Sequence, residues 1–257
     1  MLHKNIKLHI LTFFFLSSFI LSSCLLSSPL DEKFLLSSYV RSIPLAEGTV
    51  SIKLKENKYS LKVNASSVGL FSIILDWNQT IKSFGTIKNN NFISYRYRSS
   101  DNRGNKSGHM EINFKNMPPQ IISAQPDPRE DPRRVINSSF LLDVNDPAAG
   151  IFNLAFNQCI NTVKVYDGKR RYNIKILKKE LSILTNSFLS KNSIKTYKCN
   201  YEIERISGYT KKELERFPKQ GEIWIKKHQE LNIFYPVKIQ IKTKWGNFLC
   251  FIKERRI

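Results

Sequence analysis

The clearest group of residues whose types and spacing could support chemistry is a short basic turn. Asp167 and Gly168 are followed directly by Lys169, Arg170 and Arg171. Asp-Gly suits the positive-φ positions of a tight hairpin turn, and three adjacent cations at a hairpin tip could hold a phosphate or a carboxylate. The alternative is a solvated turn whose charges discourage pairing between sheet edges. We take this turn as the candidate anion-binding site.

Catalytic constellations are not evident beyond the first 23 residues. The two histidines there, His109 and His228, lie on separate strand-like segments among polar neighbours, which predicts surface positions. No group of His, Cys, Asp or Glu has the spacing of metal ligands, and no glycine-rich phosphate loop or G-x-S-x-G elbow occurs. Cys250 lies in an apolar run, where a buried thiol is expected. The sequence therefore predicts a non-enzymatic protein without metal or cofactor.

Residues 1–23 have the pattern of a signal peptide. Lys4 and Lys7 precede an apolar run from Ile10 to Leu21. Serines interrupt the run, and it is shorter than the roughly 20 apolar residues that span a membrane. The prediction is an exported protein, with a permanent transmembrane anchor as the alternative.

The end of this leader resembles a bacterial lipobox. Small residues follow Leu21 and precede Cys24, which would be acylated and become the new N-terminus, and Leu25 in place of Asp favours the outer membrane. The alternative is an ordinary signal-peptidase site between Ser23 and Ser28. We predict a periplasmic protein anchored through Cys24.

The chain after the leader carries a large positive charge. The formal charge is +20, and removing Lys4 and Lys7 leaves +18 because residues 1–23 contain no acid. In an exported protein such a surplus favours anionic membrane surfaces over nucleic acid. Lysines spread over wet strand faces for solubility are the alternative. Residues 24–34 are serine-rich and predict a tether, and 35–257 show no linker, which predicts a single domain.

Period-two alternation of apolar and polar residues dominates this domain and predicts strands with one buried face. Examples are the hairpin from Val50 to Val63 and the long strand from Val237 to Trp245. Helix signals are few: Asp146-Pro147 supplies an N-cap and a proline at the first helical position, and Thr210 with Glu213 forms a capping box. We expect a mainly β fold, a curved antiparallel sheet or half-open β-barrel with one or two short helices on its concave side.

The order of several motifs resembles an exported bacterial family, domain of unknown function 3108, over roughly residues 35–250. The most specific parts are the Asp146-Pro147 helix start and the run from Asp167 to Tyr172. The resemblance implies a signal peptide and a clam-like sheet, similar in shape to the periplasmic lipoprotein carriers of the Lol pathway, and it implies no reaction.

Three cysteines remain after Cys24, and an oxidising compartment allows one disulfide among them. The residues alone leave all three pairings open. The family resemblance favours Cys159 with Cys199, since both lie inside the matched segments, and leaves Cys250 as a buried thiol.

Two functions fit this pattern. The first is a binding or carrier protein for a lipid-like or lipoprotein ligand, because the apolar strand faces exceed what two short helices can cover. The second is a structural or assembly factor that binds another envelope protein through its sheet edge or basic turn. The candidate apolar-ligand face consists of Ile151, Leu154, Ile239, Ile241 and Trp245.

Overall fold

The structure is a computed structural model that describes residues 30–160, 162–186, 188–190, 192–229, 233–243 and 246–254. The described chain forms one 13-stranded antiparallel sheet. The strands are β1 (Leu30–Val40), β2 (Ile43–Lys55), β3 (Lys58–Ser67), β4 (Trp77–Lys88), β5 (Asn91–Arg103), β6 (Lys106–Asn113), β7 (Gln120–Gln125), β8 (Val163–Tyr166), β9 (Arg171–Leu184), β10 (Ile194–Ser207), β11 (Gln220–Lys227), β12 (Phe234–Thr243) and β13 (Gly246–Glu254). The helices are α1 (Leu70–Ile74), α2 (Pro147–Phe156) and α3 (Lys211–Arg216), with 3-10 turns at Pro128–Glu130 and Ser138–Leu141.

Two meanders make up the sheet and join at its centre. Strands β1 to β7 follow one another on one side, β8 to β13 follow on the other, and β1 pairs with β13 from Phe34↔Glu254 to Val40↔Phe248. The first and last described strands therefore tie the two halves together. Among the described strands β7 and β8 end the sheet without pairing with each other, so the expected half-open, mainly β fold is confirmed.

The sheet curls until its two ends approach each other. Gly168, in the turn after β8, packs so closely on β6 that a Cβ there would lie 2.6 Å from the Met110 sulfur. Tyr166 of β8 meets Phe114 with ring centroids 6.5 Å apart. We call this line of contact between the two ends the seam.

Helix α2 lies inside the curl. As predicted, Asp146 caps the helix and Pro147 is its first residue. The helix buries Ala149 and Phe152 in a core cluster with β1 to β5 and β11 to β13, and Leu154 in a second cluster with β8 to β11. It thus fills the space that the concave face would otherwise leave open.

Two features differ from the sequence-based expectation. β1 begins at Leu30, before the predicted domain boundary at residue 35, because Leu30 and Phe34 bury their side chains against the β2 strand. Helix α1 was not predicted: its five residues lack a side-chain cap and bury none of their apolar side chains. The capping box at Thr210 begins α3 as predicted.

Candidate functional site

The N-terminus of α2 is fixed to the sheet by a buried carboxylate. Asp146 is 0% exposed. One of its oxygens accepts hydrogen bonds from the Ala148 and Ala149 N–H groups at 2.9 and 3.0 Å. The other accepts from the Ser83 and Ser94 hydroxyls at 2.6 and 2.7 Å. Burial raises the pKa of Asp146, and these four donors oppose that shift.

Amides continue the attachment along the helix. The Asn153 side chain forms two hydrogen bonds with the backbone of Phe92 in β5. Its oxygen accepts from the Phe92 N–H at 2.6 Å, and its nitrogen donates to the Phe92 carbonyl at 2.8 Å. The Asn157 amide donates to Asn91 at 2.8 Å. These contacts fix the position of α2 beside the seam.

The candidate anion-binding turn lies directly at the seam. Asp167 organises it, because one oxygen accepts from the Lys169 and Arg170 N–H groups at 2.8 and 2.7 Å. The Gly168 φ is +91°, the left-handed conformation that the Asp-Gly dipeptide predicted. The turn is therefore held by its own backbone and one carboxylate.

The three cations of the turn have different partners. Arg170 forms an ion pair with Asp167 at 2.7 Å and stacks on Phe217, 4.7 Å from the ring centre. Arg171 is buried and donates to the Phe140 carbonyl at 2.8 Å, and its burial lowers the pKa of the guanidinium. Lys169 is half-buried, and among the described residues its ammonium has no carboxylate or hydrogen-bond partner. Lys169 is thus the cation of the turn that is available to a ligand.

A cleft of about 570 Å³ opens beside this turn, across the seam. Basic, acidic and polar residues of β5, β6 and the turn line it together with aromatic residues and a methionine. The basic members are Arg103, Lys106, His109, Lys169 and Arg170, and the apolar members include Tyr97, Met110, Tyr172 and Phe217. Arg103 is paired with Asp101 at 2.8 Å. In the described part of the chain, Lys106 resembles Lys169 in having no carboxylate partner.

The residues predicted to form an apolar-ligand face do not line this cleft. Leu154 is 1% exposed, and Ile151 and Ile239 pack with it in the second core cluster. Ile241 is half-buried on β12, opposite Gly221 and Phe248. Trp245 lies outside the described residues. The described residues of the predicted face belong to α2 and to β12, which packs on that helix because the sheet curls around it.

The structure contains the predicted disulfide between Cys159 and Cys199, with Cα atoms 6.3 Å apart. Cys250 is buried as a free thiol, and burial raises its pKa to about 12. Cys24 and the predicted signal peptide lie outside the described residues. His109 is exposed as predicted, but the surface prediction for His228 was wrong, because its ring packs against Tyr235 at 6.0 Å.

The sequence pattern did not predict that residues of β5, β6 and the segment after α3 line the cleft beside the turn. Tyr97, Lys106 and Met110 belong to β5 and β6, about 60 residues before the turn, and their alternation indicated only ordinary strands. Phe217 follows α3 and had no distinguishing signal beyond its aromatic type. Such residues meet only because the sheet curls.

The described residues show neither a metal site nor a membrane-spanning helix. In that part of the chain no group of three or more His, Cys, Asp or Glu is placed to hold a metal ion. No helix in the same residues is both long and apolar enough to cross a membrane.

Known proteins place the chain in a family. Comparison with curated proteins gave no match. Among solved structures, the crystal structure of a β-barrel-like protein of domain of unknown function DUF1849 from Brucella abortus matches with a TM-score of 0.42 and 7% identity, covering 89% of this chain and 98% of that one. The family model for proteins of unknown function DUF3108 matches residues 33–252. This match spans both halves of the sheet and α2, and the chain belongs to the DUF3108 family.

Proposed function

We propose that this protein is a non-enzymatic binding protein whose seam cleft holds an anionic ligand with an apolar part, of the kind that acidic lipids supply. The observation that carries the proposal is Lys169, a half-buried cation without an ion-pair partner among the described residues, on the wall of a cleft that also presents aromatic rings. A cation that is partly removed from water is stabilised by an anion at hydrogen-bond distance.

The cleft supports both parts of such a ligand. Lys169 and Lys106 can bind an acidic headgroup, and the half-buried ring of Phe217 offers apolar surface for the start of an acyl chain. Its volume of about 570 Å³ falls within the roughly 300–1,000 Å³ that is typical of small-molecule sites. Asp167 and Asp101 are already paired with arginines, so they oppose the anion less than free carboxylates would.

Calorimetric titration with dodecyl phosphate, below its micelle concentration, tests the proposal. We expect binding that is stronger than that of inorganic phosphate, because both parts of the cleft are used. Lys169→Glu should weaken binding by tenfold or more, whereas Lys212→Glu, the same charge change on the exposed side of α3, should change it less than twofold. Equal effects of the two variants would show that bulk charge, and not the cleft, attracts the ligand.

A second function, assembly of another envelope protein, is favoured by the outer edge of β9. On β9, the four residues of β8 cover residues 171–174 alone, so residues 175–184 have no strand on that side among the described residues. Leu177, Leu181 and Ile183 are 61–77% exposed along this edge. An extended segment of a partner could add a strand there. Hydrogen exchange of the residue 175–184 amides tests this function. Protection of these amides by envelope extract but not by dodecyl phosphate would favour it.

We also propose that the protein is exported and anchored through an acylated Cys24. The support is the Leu21 to Cys24 lipobox pattern behind a basic and apolar leader. Cys24→Ala should abolish incorporation of labelled palmitate, because it removes the thiol that carries the acyl group, and it should lower the share of the protein in the membrane fraction. Unchanged labelling would contradict acylation.

A further inference from the structure

The connection between β3 and β4 forms an exposed apolar tip, which we define as residues Val68 to Leu75. Its helix α1 buries none of its residues. Leu70, Ile73 and Ile74 are 73%, 81% and 82% exposed. A cluster of neighbouring, largely exposed aliphatic side chains is rare on a soluble surface and marks a site of contact with another phase or partner.

The composition of the tip suits a hydrocarbon environment. Residues 68–75 read Val-Gly-Leu-Phe-Ser-Ile-Ile-Leu and contain no charged side chain. The single hydroxyl, Ser72, donates to the Gly69 carbonyl at 2.7 Å, so it brings no unsatisfied polar group. Three backbone N–H groups of the tip are also hydrogen-bonded. The Ser72 N–H donates to the Gly69 carbonyl, the Leu75 N–H to the Phe71 carbonyl, and the Val68 N–H to the Leu45 carbonyl. These four hydrogen bonds reduce the number of open hydrogen-bonding groups that transfer of the tip out of water would expose to an apolar medium.

The surroundings of the tip favour an anionic surface. In an antiparallel meander the β1–β2, β3–β4 and β5–β6 connections lie at the same end of the sheet, so Arg41 and Lys106 lie at the same end as the tip. Neither cation has a carboxylate partner among the described residues. Asp76, at the base of the tip, is the nearest acid in sequence. The surplus charge of +20 on the whole chain adds a long-range attraction to anionic headgroups.

We infer that residues 68–75 insert into the boundary between headgroups and acyl chains of an anionic lipid bilayer, with Trp77 at the level of the interface. The tip lies at the end of the sheet, with Leu70, Ile73 and Ile74 at 73–82% exposure, which suits insertion into a soft apolar layer. Trp77 is half-buried at its base, and tryptophan favours the membrane interface. The inference does not depend on the proposed ligand of the cleft.

A fluorophore on the tip tests the insertion directly. The full chain carries Cys24→Ala, so that no acyl group contributes, and Ser72→Cys labelled with a nitrobenzoxadiazole group. On adding vesicles of phosphatidylcholine and phosphatidylglycerol in a 7:3 ratio, we expect a blue shift and a rise in intensity. The matched control, Asn89→Cys in the β4–β5 turn at the opposite end of the sheet, should show neither change. The absence of a shift at position 72, or an equal shift at position 89, would overturn the inference.

Paired charge substitutions give the second arm. Ile73→Asp with Ile74→Asp should weaken sedimentation with these vesicles by tenfold or more. Leu181→Asp with Ile183→Asp, which place the same charges on equally exposed aliphatic residues of β9, should weaken it less than twofold. Equal losses from both pairs would overturn the inference and leave bulk charge as the cause. The tip variant should still bind dodecyl phosphate, so failure of one proposal is distinguishable from failure of the other.

Discussion

Asp146 and Asp167 each organise a short segment at the seam, but they leave their surroundings in different states. Asp146 is fully buried, and two hydroxyls and two helix N–H groups satisfy both of its oxygens. Asp167 accepts a hydrogen bond from the Lys169 N–H and pairs with the Arg170 guanidinium. The Lys169 ammonium, however, has no hydrogen-bond or ion-pair partner in the described residues and borders a cleft. The first arrangement is complete without a ligand and stabilises the fold, whereas the second leaves a cation without a partner among the described residues, where we propose that an anion binds.

The largest expected effect concerns the far end of α2. The disulfide joins Cys159, just after the helix, to Cys199 of β10 over a separation of 40 residues. Replacing both by serine should lower the free energy of unfolding by about 3–4 kcal/mol, because the unfolded chain regains the entropy of that loop. Denaturant unfolding of the oxidised protein measures it. A loss below about 1 kcal/mol would show that the helix is held without the bridge.

Comparing the two aspartates by substitution sharpens the contrast. Asp146→Ala should destabilise by about 3 kcal/mol, because it removes an N-cap and leaves buried donors unsatisfied. Asp167→Ala should cost about 1 kcal/mol, since water can replace its bonds at the half-buried turn. Asp146→Asn, which keeps the shape and an acceptor oxygen, serves as the control with an intermediate loss. Equal losses for the two alanine variants would contradict the division into a structural and a binding region.

A pH-dependent stability effect involves Glu213, which joins α3 through Arg134 to the connection between β7 and α2, with the two side chains 2.8 Å apart. Partial burial alone would raise the pKa of Glu213, but hydrogen bonds from Arg134 and from the Thr210 N–H outweigh it and lower the pKa from 4.5 to about 2. The unfolded state therefore takes up the proton first, and the stabilisation present above pH 4.5 is lost as the pH falls toward about 2. Glu213→Gln should flatten this part of the stability profile. An identical acid slope in both proteins would contradict the assignment.

Local signals predicted the structural region better than the binding region. Asp146-Pro147 indicated a helix start, and Asp167-Gly168 indicated a left-handed glycine, because both features act within four residues. Which cation of the turn would remain unpaired was not predictable, since Arg171 is bound by the Phe140 carbonyl and Arg170 stacks on Phe217. Those contacts join residues about 30 and about 50 positions apart, and they follow from the curl of the sheet and the course of its connections.

The curl of the sheet also explains why the apolar strand faces were interpreted as a ligand-binding surface. Alternation along β12 indicated one buried face but not its cover, and the structure places α2 there, with Leu154 almost fully buried. Exposed apolar surface remains at the α1 tip. Sequence periodicity did not indicate this helix, because four apolar residues and one serine are too few to distinguish a helix from a buried strand.

Native mass spectrometry of the mature protein, purified from its own envelope without detergent exchange, tests the central claim most directly. The account predicts a bound anionic lipid on the wild-type protein, its loss from Lys169→Glu, and its retention by Lys212→Glu. A wild-type protein free of ligand under these conditions, or the same ligand on all three proteins, would contradict a binding function for the seam cleft.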